Sequence, residues 1–223
     1  MSQIDLSTPL QMTAELQKHI TPELALELLK SGNARFVAGQ PFDRDLLEQV
    51  AQTASGQYPF AIVLSCIDSR IPTEIIFDQG IGDIFNARIA GNFVNRDILG
   101  SMEFACAVAG SRLIVVMGHT SCGAVKGACD GVTLGNLTDM LKALEPAVAQ
   151  TPTAPGEDRS SKNKDFVNRV AQTNVQLTMQ SILDESEVLR GLYESGRIGL
   201  VGAMYDVATG KVHFDTLQVK AAV

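Results

Sequence analysis

The chain has 223 residues, 45% of them hydrophobic and none of them tryptophan, which suits one sizeable core and is short for two domains. Its formal charge of −7 comes without a basic stripe, so nucleic acid is not an expected partner. No apolar run reaches the roughly 18 residues of a membrane span. The opening "MSQIDLSTPLQMTAELQ" lacks the basic end and apolar core of a secretory signal, which makes a cytoplasmic location the default expectation.

Taken in chain order, the first clear element is a helix after Thr21. Thr21 can cap it, Pro22 fits its first turn, and Leu24, Leu28 and Leu29 recur at helical spacing. Gly32 or Gly39 is its expected stop, since the apolar pattern continues through Phe36. The stretch before Thr21 is a weaker helix candidate, and this N-terminal helical arm, about residues 1–40, is expected to pack on a partner subunit. "FAIVLSC", Phe60 to Cys66, reads as a short buried strand, and "DIFNARIAG", Asp83 to Gly91, as a weaker one. "DILGSMEFACAVAG" predicts a helix with Asp97 near its start and Gly110 at its stop. "RLIVVMGH", Arg112 to His119, is the clearest strand. The polar, proline-containing stretch from Ala149 to Asp165 reads as an exposed loop, and one long helical region follows from about Phe166 to Ser195. Ile198 to Phe214 predicts strand, turn around Thr209–Gly210, and strand. Strands separated by helices imply crossover units. The expected fold is α/β: a mainly parallel β-sheet flanked by helices, one domain over residues 1–223, with its functional core at about 57–214.

Chemistry concentrates in two stretches. "SCIDSR" holds Cys66, Asp68 and Arg70, and "GHTSCG" holds His119 and Cys122. Both begin where an apolar strand ends, and in open parallel sheets ligand sites gather beyond the carboxyl ends of strands. Residues two apart on an extended chain face the same side, so Cys66 and Asp68 can converge. His119 and Cys122 straddle a turn into a helix expected to open near Cys122, with Gly118 and Gly123 allowing close backbone approach. Two thiolates and an imidazole suit zinc, one ion per chain. Asp68 either takes the fourth position or, paired with Arg70, stays off the metal and faces a bound water. A lone cysteine is more often a small buried apolar residue than a ligand. A lone "CxD" or "HxxC" is weak; the two pairs together at two strand ends are much stronger. Cys106 and Cys129 read as core or partly exposed thiols, and His19 and His213 have no supporting neighbours.

These residues carry a resemblance. "CIDSR" followed by "HTSC" resembles the β-class carbonic anhydrases, whose pattern is C-x-D-x-R and then H-x-x-C. The segments from Pro72 to Asn92 and from Gly100 to Ala128 are similar to that family too, and the likeness runs from about Leu29 to Phe214. It implies a zinc lyase, a carbonate dehydratase, that hydrates carbon dioxide reversibly to bicarbonate and a proton through attack of zinc-bound hydroxide. It implies zinc on Cys66, His119 and Cys122, with Asp68 and Arg70 as the catalytic pair. Asp68 is a possible fourth ligand in a closed state of the family. Gly123 matches a position whose amide faces substrate, Gln57 a glutamine that binds bicarbonate in one subgroup, and Phe85 an aromatic at the apolar end of the pocket. Phe104 stands where relatives often carry tyrosine, so a hydroxyl is lost there. The family pocket lies at a dimer interface, which implies a homodimer or tetramer. The absence of tryptophan and the presence of Gln57 point to the subgroup whose site is open near neutral pH.

Carbon dioxide is small and apolar, so its pocket needs apolar walls, which Phe85, Ile89 and Phe104 can supply. Two readings compete with the enzyme. One is a zinc-stabilised binding module without catalysis, which would not need an arginine-held carboxylate. The other is hydrolysis of a sulfur analogue such as carbon disulfide by the same attack.

Overall fold

A computed structural model describes residues 8–221, so the expected N-terminal arm is seen from Thr8 onward and its first seven residues lie outside the described residues. The elements are α1 (Ala14–Lys18), α2 (Pro22–Val37), α3 (Leu46–Thr53), β1 (Ala61–Ser65), α4 (Thr73–Ile76), β2 (Ile84–Arg88) and α5 (Arg96–Glu103), which runs into a π-helical turn at Phe104–Val108. There follow β3 (Leu113–His119), α6 (Gly123–Cys129), α7 (Gly135–Lys142), α8 (Glu145–Gln150), α9 (Lys164–Glu185), α10 (Glu187–Glu194), β4 (Gly199–Tyr205) and β5 (Val212–Phe214).

The strands form one sheet in the order β2-β1-β3-β4-β5. All pairs are parallel except β4 with β5, which the Thr209–Gly210 turn joins antiparallel. The chain moves outward from β1 to β2, then crosses back to lay β3 on the other side of β1. The order therefore reverses between β1 and β3, and at such a switch point the crossover connections part and leave a crevice beyond the strand ends.

Alternation along the buried strands builds two cores. Ala61, Val63, Leu113, Val115 and Met117 enter one apolar layer, while Ile62, Leu64, Ile114 and Val116 enter the other. Helices on both faces cover these layers, which is why the strands read as nearly continuous apolar runs. Cys66 joins the first layer although strand alternation would send it to the second. β1 has ended at Ser65 and the chain has already turned.

Thr21 caps α2 by accepting the Leu24 N–H at 3.2 Å, as expected. The helix stops beside Gly39, at φ +67, and passes straight through Gly32. Gly32 is needed for closeness: a Cβ there would lie 1.7 Å from the Phe77 carbonyl oxygen. Ala25, Leu26, Leu28 and Leu29 of α2 are buried in the chain's own core. The expected single helix from Phe166 to Ser195 is two. Extended Ser186 breaks it, accepts the Leu189 N–H at 3.1 Å and donates to Glu103 at 2.6 Å. The short α3, α4, α7 and α8 went unanticipated, because one or two turns give too few residues to establish a period.

Candidate metal centre

The switch point holds both motifs. His119 is the last residue of β3, Cys66 follows β1 directly, and Cys122 caps α6. One ligand atom from each of Cys66, His119 and Cys122 lies within 4.8 Å of the others, and all three residues are buried. None of the four cysteines is in a disulfide.

Backbone groups orient two of the three candidate ligands. His119 Nδ1 lies 3.0 Å from the Thr120 carbonyl oxygen, so the proton belongs on Nδ1 and the lone pair on Nε2. Among the described residues Nε2 is a buried nitrogen with no hydrogen-bond partner. Such an orphan is costly unless something accepts its lone pair, and a cation does. Cys66 Sγ is faced by the N–H of Gly91 at 3.4 Å and by that of Asp68. The Cys122 thiol, sharing a proton with it, holds the Cys66 pKa low, with burial opposing and His119 assisting. Cys122 is pushed up in turn, first by Cys66 and then by burial. Two sulfurs contending for one proton in a dry site, beside an orphaned imidazole nitrogen, form a donor set that fits zinc.

Asp68 and Arg70 stand at the rim. Arg70 Nε donates to Asp68 Oδ1 at 2.9 Å and Nη2 to Oδ2 at 2.7 Å, while the Arg70 N–H also reaches Oδ1 at 3.0 Å. The arginine holds the Asp68 carboxyl well below the usual carboxylate range against the opposing effect of burial. Strand alternation does not set the directions of Cys66 and Asp68, since β1 stops before both. A residue the sequence did not single out ties their backbone: Arg88, at the end of β2, donates from Nε to the Cys66 carbonyl at 3.0 Å and from Nη2 to the Asp68 carbonyl at 2.6 Å. Only the register that sets Arg88 against Ser65 could have revealed it. Tyr205 was missed likewise. It pairs with His119 across the sheet, and its hydroxyl is raised by burial and by Asp206, with Arg70 opposing.

A sequence profile described as carbonic anhydrase matches residues 61–212. The chain belongs to the β-carbonic anhydrase family. A carbonic anhydrase of Mycolicibacterium smegmatis is 39% identical over 197 residues, covering 86% of this chain and 92% of that protein. Carbonic anhydrase 2 of Mycobacterium tuberculosis is 37% identical over 192 residues, 85% of this chain and 91% of the relative. Among solved structures, a tetrameric β-carbonic anhydrase of Sordaria macrospora superimposes with a TM-score of 0.66 at 27% identity, over 75% of this chain and 89% of that one. As a β-carbonic anhydrase the chain is a zinc enzyme that hydrates carbon dioxide reversibly to bicarbonate and a proton.

The remaining anticipated residues are dispersed. Phe85 and Phe104 meet each other, with ring centroids 6.2 Å apart, in a groove of about 580 Å³ that Ile62 and Ile98 also line. Phe85 pairs with Ile62, four residues before Cys66 and so roughly 13 Å back along the strand. Ile89 is half-buried against the second core layer, Gln57 is exposed in the irregular segment before β1, and Gly123 opens α6 with free space where a Cβ would be. Cys106 is a core thiol pushed up to about 12 by burial. No helix among the described residues is long and apolar enough to cross a membrane.

Proposed function

We propose that Cys66, His119 and Cys122 hold the zinc and that Asp68, fixed by Arg70, orients the attacking oxygen. Zinc bound there lowers the pKa of a water and so supplies a nucleophile near neutral pH. The arginine-held carboxylate beside the ligand cluster carries this reading. Arg70 favours the ionised form of Asp68, which would accept a hydrogen bond from the nucleophile and turn a lone pair toward the carbon of carbon dioxide. Arg70 satisfies both carboxylate oxygens and would hold Asp68 off a metal bound by Cys66, His119 and Cys122, which favours the open state. Cys66 and Cys122 as thiolates would balance the charge of the ion they hold, so a bound water would be acidified less than by a three-imidazole set. The proton leaves to buffer.

Phe85 and Phe104 lie too far along the sheet to wall the pocket of their own chain, and Phe104 is half exposed. They serve instead, with Gln57, as the apolar and polar lining of a neighbouring subunit's site, with Ile89 and the Gly123 amide lining their own. This makes the working form a homodimer or a tetramer built from dimers, with the N-terminal arm reaching the partner. The tetrameric Sordaria relative supports the assembly. Unpaired cysteines throughout fit a reducing, cytoplasmic setting. Zinc analysis together with a carbon dioxide hydration assay on Asp68→Asn tests the reading: metal retained and activity lost supports it, and activity unchanged overturns it.

A further inference from the structure

Behind the metal centre, α9 reaches back to the ligand loops with a side chain that neither motif contains. Asn174, buried at 3% exposure, donates from Nδ2 to the Gly91 carbonyl oxygen at 2.8 Å. Gly91 in turn aims its N–H at Cys66 Sγ, 3.4 Å away. The loop between them is not one the chain would hold unaided. Gly91 has φ +85 and the next residue, Asn92, has φ +41, two successive left-handed positions. The φ of +85 at Gly91 would strain any residue with a Cβ, so glycine suits the site and leaves the loop the more flexible for it. The conformation therefore has to be held from both ends.

We propose that Asn174 is a positioning residue of the metal centre: its grip on the Gly91 carbonyl sets the peptide so that the Gly91 N–H bonds the Cys66 thiolate, and that bond tunes the sulfur as a donor. The inference rests on Cys66 being a zinc ligand. An N–H directed at a thiolate stabilises its lone pairs, and outer-shell partners of this kind govern how firmly a metal is held. Burial makes the Asn174 amide effective, because with no water to turn to, its N–H is committed to Gly91.

Cobalt substitution gives the test a readout other than activity. In the cobalt-loaded wild type, thiolate-to-metal charge transfer is expected as an absorption band. Its absence would overturn the ligand assignment and the role of Asn174 with it, whereas a wild-type band that the Asn174 variants leave unmoved overturns the role of Asn174 alone. In Asn174→Leu, close in volume but with no donor, the band is expected to move to lower energy. A chelator should strip zinc from this variant with affinity weakened about 10–100-fold. Asn174→Asp, also close in volume, loses the same donor in its ionised form and should move both readouts in the same direction. The control is Asn33→Leu, another buried asparagine that holds backbone carbonyls, those of Ile76 at 3.2 Å and Gly210 at 2.9 Å, and that bonds neither Cys66, His119, Cys122 nor Gly91. It should lower the melting temperature and leave band and affinity unchanged. Wild-type values in the Asn174 variants, or an equal band shift in Asn33→Leu, would overturn the proposal. Should neither Asn174 variant fold, cadmium-113 wild-type protein decides it: scalar coupling from the Gly91 amide proton to the metal through Cys66 is expected, and its absence refutes the bond.

Discussion

Arg70 closes on Asp68 with two side-chain nitrogens, one to each carboxylate oxygen, at 2.9 and 2.7 Å. Such a two-point fork fixes direction as well as charge, and a lysine has no equivalent. Replacing Asp68 by Asn keeps the shape and weakens the acceptor. Zinc content should remain at one per chain while carbon dioxide hydration falls about 100-fold or more, within the range for a positioned proton acceptor. Elemental analysis and stopped-flow assay check the two halves separately.

Removing a ligand should act differently. Cys66→Ala, His119→Ala and Cys122→Ala should each lose most of the zinc together with the activity, since each takes away one of three donors clustered within 4.8 Å. Full zinc occupancy in all three purified variants would contradict the ligand assignment.

A second carboxylate makes a pH prediction away from the metal. Asp83 is buried, and burial raises its pKa to about 6, while the Gly80 N–H at 2.7 Å and Arg44 pull the other way. Its folded pKa thus lies above its unfolded one, so the folded state holds the proton more tightly and stability declines as pH rises from about 4 through about 6. Above that window the buried charge costs up to about 3 kcal/mol. Asp83→Asn, which still accepts from Gly80, should raise the melting temperature at pH 8 and lose that advantage near pH 4. Thermal melts across this range would show it, and equal gains at both pH values would count against the burial argument.

Gly32→Ala is predicted to destabilise by about 3 kcal/mol. The new methyl group meets backbone, the Phe77 carbonyl at 1.7 Å, not a flexible side chain that can swing away. Chemical denaturation measures it, and a loss below about 1 kcal/mol would mean that α2 can shift off α4 cheaply.

Assembly is testable at Phe104. Its ring is half exposed against Phe85, and a charge there should oppose any subunit seated on that face. Phe104→Asp should lower the oligomeric mass seen by light scattering and reduce hydration with the zinc still bound. An active wild-type-sized assembly would place the interface elsewhere.

How far the sequence alone reaches can be read from particular residues. Thr21 and Pro22 announce α2 because capping is chemistry local to a few residues. The runs Ala61–Ser65 and Leu113–His119 announce central strands because burial on both faces leaves no polar alternation. Cys66, His119 and Cys122 stand out because few side chains can serve a metal, and these sit just past apolar strands. What the sequence could not supply depends on neighbours far along the chain. Register sets Arg88 against Ser65 and so lets it clamp the carbonyls of Cys66 and Asp68. Packing of α9 behind the sheet carries Asn174 to Gly91, a separation of 83 residues. The crossover that places β3 beside β1 converts two separate motifs into one site. Local propensity determines which segments become strands and helices, whereas the partner each buried N–H and C=O finds is decided only when the tertiary structure closes around it.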